Sequence, residues 1–449
     1  MSTPMPRAAP PSDRKAVIDD LEKQLRLTPR ATRPYEYAAV SYRLGLAYAE
    51  SPLGSPEEGL RKALAHLDTA AAIFDPRYDP VEHARVLNAA GAAHRGLGNR
   101  AKAATLFEQA AELLEGQGRD PERAAALNNL GLVRTELGEP DRAIVAFDTA
   151  VDLFDASTPE GRRGRVATLH NRGQAHAAQG TEEGLEAALA DYEEARADLD
   201  AEDAPYHYGL VHHSIGVTCS ALANLRPEER REFLNEAVRA FNESLVIFGR
   251  TTFPFQHALA MHNLGLAHAA RGGVTNLRRA LACFEETVAT LDTRLHAEPW
   301  RQGFASLERA EKELDQHVPG MTRAAHFANL AADVPRDERM QLVGQRIIRL
   351  MALPDHGRLP LTELSLAVAK LGEQRARGVI EAELITVMEM PQEEQLALLQ
   401  AVWDAHRQLQ GEERITADRE LDQAIGDALG GPQRIFVRDF LYELGWERP

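Results

Sequence analysis

One small residue, glycine, recurs through the first two thirds of the chain at a spacing that only a helical array satisfies. The segments "RLGLAY", "AAGAAH", "NLGLVR", "NRGQAH", "SIGVTC" and "NLGLAH" place Gly45, Gly91, Gly131, Gly173, Gly216 and Gly265 in register. Their separations run from 40 to 49 residues, enough each time for two helices and two turns. After each glycine segment comes a turn and then a small, a large and a small residue at i, i+4 and i+7, which share one helical face. The six sets are Ala63, Leu67, Ala70; Ala103, Phe107, Ala110; Ala143, Phe147, Ala150; Ala188, Tyr192, Ala195; Ala237, Phe241, Ser244; and Ala280, Phe284, Thr287. Glycine and alanine let two backbones approach, and the large side chain fills the space between them and the next pair. The turns "GLGNR", "ELGEPD" and "AQGTEE" supply a glycine to end one helix, and Asn99, Pro140 with Asp141, or Thr181 to start the next.

No run of alternating β-branched residues appears, whereas Ala, Leu, Glu and Arg recur at helical spacing nearly throughout, so the fold class is all-α. The glycine, aromatic and alanine pattern resembles the tetratricopeptide repeat family, in a long-period variant like the kinesin light chain and bacterial arrays, over residues 35 to 295. The resemblance implies a right-handed superhelical solenoid of six helix pairs whose first helices line a concave face, where the family usually holds a peptide. The expected organisation is a flexible tail over 1–12, an N-terminal helix over 13–34, the solenoid over 35–295, a charged capping helix and linker over 296–320, and a helical bundle over 321–449.

In family members that bind extended peptides, an Asn two residues before the glycine often bonds the peptide backbone. Here that position holds Arg43, Ala89, Asn129, Asn171, Ser214 and Asn263. An amide carries a donor and an acceptor, so it can pair with a peptide group whatever the side chain. One residue earlier stand Tyr42, Asn88, Asn128, His170, His213 and His262. The candidate contacts are therefore Arg43, Asn88, Asn128, Asn129, His170, Asn171, His213, His262 and Asn263. For the asparagines, helix capping or solvation is the alternative. For the histidines three readings stay open: a partly protonated groove for acidic or aromatic peptide groups, a metal site, or packing. His94, His176 and His268, with Cys219 and Cys283, are expected to be structural.

Lys and Arg number 51 against 68 Asp and Glu, a formal charge of −17, which disfavours nucleic acid and anionic membrane as partners. The two cysteines cannot build a disulfide framework, the Pro- and Ser-bearing N-terminus lacks a signal-peptide core, and no apolar run is long enough to span a bilayer. A cytoplasmic and, from its low Lys and high Arg and Ala usage, bacterial protein is the expectation. No "HExxH", "GxSxG", "GxxxxGK", "GxGxxG" or Cys-x-x-Cys motif occurs, and the pairs Glu193, Glu194 and Glu285, Glu286 read as solvated helix faces. The expected function is a non-enzymatic adaptor without metal or cofactor that grips a partner protein or peptide; self-association at the array edges is compatible with it. A ligand-responsive sensor is the second reading, and an enzyme with no local motif the third.

From about Met321 onward, seven amphipathic segments are punctuated by Pro354, Gly357, Pro360, Pro391 and the run Gly430, Gly431, Pro432. They predict a compact bundle. "LSLAVAKLGEQRARGVIEAEL" imitates a helix-turn-helix in acidic surroundings that disfavour DNA. Trp403, Phe436, Phe440, Tyr442 and Trp446 supply either core or a docking patch.

Overall fold

The structure, a computed structural model, describes residues 11–50, 55–353, 357–447 and 449. Most of the expected tail and the punctuating Pro354 lie outside the described residues. Twenty-one α-helices and no strand are present among them. The first, α1, spans Pro11–Leu27, and Ile18 and Leu21 pack it on Leu44 of the next helix. The chain divides into two compact units, residues 1–249 and 250–449. The division falls inside the array laid out by the glycine spacing, so the sixth helix pair belongs to the same unit as the C-terminal helices.

In the first unit the pairs are α2 (Pro34–Ala49) with α3 (Pro56–Ala71), α4 (Pro80–Gly96) with α5 (Arg100–Leu113), α6 (Asp120–Glu136) with α7 (Pro140–Leu153), α8 (Pro159–Ala177) with α9 (Glu182–Ala197), and α10 (Pro205–Leu225) with α11 (Arg230–Ile247). The second helices α3, α5, α7 and α9 each also pack on the first helix of the next pair. Proline occupies the first or second position of α2, α3, α4, α6, α7, α8 and α10, where its missing N–H is one that a helix start leaves unpaired anyway. The expected turn chemistry holds at Gly138, which takes φ 76° before Pro140, and at Thr181, whose hydroxyl accepts from the Gly184 N–H at 3.0 Å. It does not hold at Asn99, which makes no cap bond; its Nδ2 instead lies 3.4 Å from His94 Nδ1.

The small, large and small residues are all buried, as their spacing predicts. The large one does more than fill space between pairs: it lies directly on the glycine of its own pair. A methyl group on Gly131 would sit 2.5 Å from Phe147 Cε1, and one on Gly91, Gly216 or Gly265 would sit 2.6–2.7 Å from Phe107, Phe241 or Phe284. Leu67 plays this part over Gly45, and Tyr192 over Gly173. The other side of each ring meets the next pair: Phe107 packs with Leu130 and Val133, and Phe147 with Ala175.

In the second unit α12 (Pro254–Arg271) and α13 (Val274–Thr290) form the sixth pair, and α14 (Ala297–His317) lies on α13 through Leu307, Ala310 and Leu314. Then come α15 (Arg323–Asp333), α16 (Arg336–Met351), α17 (Arg358–Ala369), α18 (Glu373–Met388), α19 (Gln392–His406), α20 (Gly411–Ala428) and α21 (Gly431–Glu443), one for each amphipathic segment. They form two rows: α15, α17, α19 and α21 pack in succession, as do α16, α18 and α20. Val343, Ile347, Val379, Leu399, Ile425 and Val437 make the shared core. Trp403 and Trp446 are buried in it, Phe436 and Phe440 pack against it, and Tyr442 stacks on Trp446 from outside, so these aromatics are chiefly core. The basic start of α18 is engaged internally: Arg375 pairs with Asp333 at 2.7 Å and Arg377 with Glu420 at 2.8 Å.

The pair Glu285 and Glu286 is not a solvated face. Both side chains are about nine-tenths buried and ion-paired to α16, because α15 and α16 cover that side of α13. Glu194 does remain exposed, beside the half-buried Glu193.

Gly131→Ala is expected to lower stability by about 1–3 kcal/mol, since the ring of Phe147 cannot move without disturbing the next pair. A urea titration followed by circular dichroism reads this as a lower midpoint at unchanged native helicity, and Phe147→Leu in the same chain should restore part of the loss. Glu383 gives a test of opposite sign. It is buried, Oε1 has no hydrogen-bond partner among the described residues, and burial raises its pKa from 4.5 to about 8. The folded chain therefore keeps the proton while the unfolded chain releases it between those values, so stability falls as pH rises through that window. Glu383→Gln should be increasingly stabilised over the parent, by about 1 kcal/mol per pH unit, between pH 5 and 8.

Candidate functional site

The two rows of polar residues that precede each glycine stand on the first helices of the pairs, and the structure brings them together in a diagonal pattern. The residue three before one glycine meets the residue two before the next. Asn129 Nδ2 donates to Asn88 Oδ1 at 3.1 Å, and Asn171 Nδ2 donates to Asn128 Oδ1 at 2.9 Å. His170 Nε2 and Ser214 Oγ are in hydrogen-bond contact at 2.9 Å. In the second unit His262 Nε2 and Ser306 Oγ repeat the contact at 3.1 Å. The rungs join residues 41, 43, 44 and 44 apart, so one hydrogen bond per repeat follows the repeat period itself.

Ser306 is absent from the candidates because α14 carries no repeat glycine. The only sequence signal for it is its 44-residue distance from His262, equal to the distance from His170 to Ser214. Arg43 stands outside the ladder, exposed on α2 and with no ion pair among the described residues. Ala89 interrupts the row opposite Tyr42, as its side chain requires. Asn263 and His262 are half-buried on α12.

The rungs do not exhaust the amides. Asn88 and Asn128 spend their carbonyl oxygens as acceptors, and neither NH2 group has a partner among the described residues; Asn129 keeps its second N–H and its carbonyl oxygen. These three are half-buried, whereas Asn171 is buried and belongs to the scaffold. Around them the face is lined by Ala92, Ala125 and Ala167, and the charged side chains stand at its two ends in ion pairs. Arg85 meets Glu122 at 2.9 Å before the row, while Arg95 and Arg100 share Glu136 at 2.6 and 3.1 Å beyond it. The strip is thus uncharged and amide-bearing.

The histidines do something else. His170 lies over Tyr192, His213 over Phe241 and His262 over Phe284, each with ring centroids 5.6 Å apart, so each lids the aromatic of its own pair. Burial pushes His170 down to about 3 and His213 to about 4, and lowers His262 as well. At neutral pH these rings are uncharged, which corrects the expectation of a partly protonated groove. Among the described residues no group of three or more His, Cys, Asp or Glu is arranged to hold a metal ion. His268 is buried and pushed down to about 3, and burial raises both Cys219 and Cys283 to about 12. No helix of the described residues is long and apolar enough to cross a membrane.

No family model and no curated protein matches the chain. Solved structures with helix-repeat folds do. A kinesin light chain with nearly identical TPR-like repeats, from Podosopora anserina, is 18% identical over 48% of this chain and 96% of that one, with a TM-score of 0.33. PilW, a type IV pilus biogenesis factor, is 15% identical over 64% of this chain and 96% of its own, with a TM-score of 0.35. A Rap protein complexed with competence and sporulation factor is 14% identical over 67% and 81%, with a TM-score of 0.37. The six helix pairs of this chain share one geometry of their own, a glycine beneath a large side chain.

The buried histidines set an acid limit. Their folded pKa values lie below the ordinary value of 6.5, so the unfolded chain binds protons that the folded chain refuses, and stability is lost as pH falls below 6.5. Urea midpoints measured at pH 7.5 and 5.5 should drop by the equivalent of about 1 kcal/mol per buried histidine. The drop should shrink in the variant carrying His170→Gln and His213→Gln.

Proposed function

We propose that this chain is a non-catalytic scaffold whose first-helix face in residues 80–177 holds an extended segment of a partner protein by its backbone. The observation that carries the reading is the set of half-buried amides Asn88, Asn128 and Asn129, fixed by the inter-repeat rungs and still offering N–H and C=O groups on the first helices of two successive pairs. An extended peptide presents the same two groups in alternation, and rigidly held amides lose little freedom when they pair with it. Small alanines beside them let a backbone approach. Because the strip itself carries no charged side chain and each flanking arginine is already in an ion pair, charge attraction contributes little, and recognition tolerates varied side chains.

The test begins with peptides selected from a displayed random library against the full chain, each then measured by fluorescence anisotropy. Asn88→Ala and Asn128→Ala are each expected to weaken the selected peptides about tenfold, the size of one lost hydrogen bond to a neutral group. Asn99→Ala should leave them unchanged. Methylation of single peptide nitrogens should weaken binding at positions where alanine substitution does not, and raising salt from about 0.05 to 0.5 M should have little effect. Affinities indifferent to both asparagines, or governed by peptide charge, would discard the reading.

A further inference from the structure

The second unit contains a buried polar cluster that peptide holding does not use. Glu285 and Glu286 on α13 face Arg346 and Arg349 on α16, and all four side chains are only 10–11% exposed. Arg346 pairs with Glu285; Arg349 lies 3.6 Å from Glu285 and 3.4 Å from Glu286. Arg250 Nη1 and His257 Nε2 each lie 3.5 Å from Glu286, whose Oε1 also accepts from Thr290 Oγ1 at 3.3 Å. Among the described residues three guanidinium groups thus meet two carboxylates: Arg346 and Arg349 are buried with the glutamates, and Arg250, at 33% side-chain exposure, stands at the edge, so the cluster carries one excess positive charge.

The donors are also underused. A guanidinium carries five N–H donors in a fixed fork. Among the described residues Arg349 makes one hydrogen bond, at 3.4 Å to Glu286, and Arg346 makes one, to Glu285. The Arg346 guanidinium lies 4.9 Å from the ring centroid of Phe327, and its Nε is buried without a partner among those residues. Both arginines border a cavity of about 50 Å³ walled on its apolar side by Met261, Phe327 and Leu342. Glu286 borders it too, with its charge met by Arg349, Arg250 and the His257 contact.

A buried cation with unspent donors is destabilising unless an acceptor reaches it. Water in the cavity would supply acceptors but leave the excess charge; a small anion supplies both. The volume holds a few heavy atoms, enough for a halide or the head of a carboxylate and too little for a nucleotide or a lipid headgroup. We propose that the cavity between α13 and α16 is a binding site for a small monovalent anion of carboxylate size, gripped by the N–H donors of Arg346 and Arg349.

The experiment is thermal unfolding of the full chain at constant ionic strength, with the bulky anion isethionate replaced stepwise by formate, acetate or chloride. The Tm of the parent should rise with saturation, on the order of 2–4 °C, and that of Arg349→Gln should stay flat. A response to formate and acetate alone assigns a carboxylate ligand; an equal response to chloride assigns any small monovalent anion. Arg346→Lys, which keeps the charge and loses the fork, should weaken the response if Arg349→Gln does not fold. Crystals soaked in bromide should show an anomalous peak within contact of both guanidinium groups. A parent with no saturable response, a response shared by Arg349→Gln, or water alone between the arginines at saturating bromide overturns the proposal.

Discussion

The contact on which the rest of the array depends is that of a large side chain lying flat on a helical glycine. A helix pair alone has one apolar stripe per helix and would leave half of it wet. Removing the Cβ at Gly131 lets Phe147 sink to the backbone of α6, which brings the two helices of the pair close and leaves the far side of the ring to be covered by the next pair. Each pair therefore stays incomplete until its successor arrives, and the same incompleteness propagates the array. Burying one such ring contributes about 1.5–3 kcal/mol, but its larger effect is on register: with ring and glycine engaged, rotation of either helix about its axis is stopped.

That register decides where the polar residues go. The residue two before the glycine emerges on the opposite side of the first helix from the ring, and the residue three before it lies one turn from the glycine, beside the ring. Successive first helices then bring a residue of one row beside a residue of the other, and the rungs from Asn129 to Asn88 and from Asn171 to Asn128 follow. In the fourth to sixth pairs a histidine replaces the asparagine and leans back over the aromatic instead. An apolar lid is gained there, and the polarity of the face falls.

Much of this was legible before any coordinates. The helix pairs, their buried triplets and the seven C-terminal helices follow from periodicity, because each depends on residues within one turn of one another. What was not legible is what depends on covering by a distant segment. Asn99 has the composition of a cap, yet its amide turns toward His94. That His170 is buried and His213 half-buried, each against an aromatic ring of its own pair, is something a single chain does not announce. Ser306 could not be found from a pattern whose marker, glycine, is missing in α14. The asparagines two and three before the glycine stand out by position, but that half of their hydrogen-bonding capacity is spent between repeats emerges only from the diagonal offset of adjacent helices.

Glu285 and Glu286 make the same point in the opposite direction. On an isolated helix pair they would be the wet outer face of α13, and solvation would be sufficient. Once α15 and α16 lie across that face, two carboxylates lose water, and partners of opposite charge must offset that loss; Arg346, Arg349 and Arg250 provide these. A purely structural solution would match the charges and fill the gap with apolar side chains, which commonly gives equal or greater stability than a buried ion cluster. Here the charges are unequal and the gap is open. Retaining three arginines around two carboxylates beside a cavity is therefore poor packing as a core, and it is good chemistry for a site that completes itself with an anion.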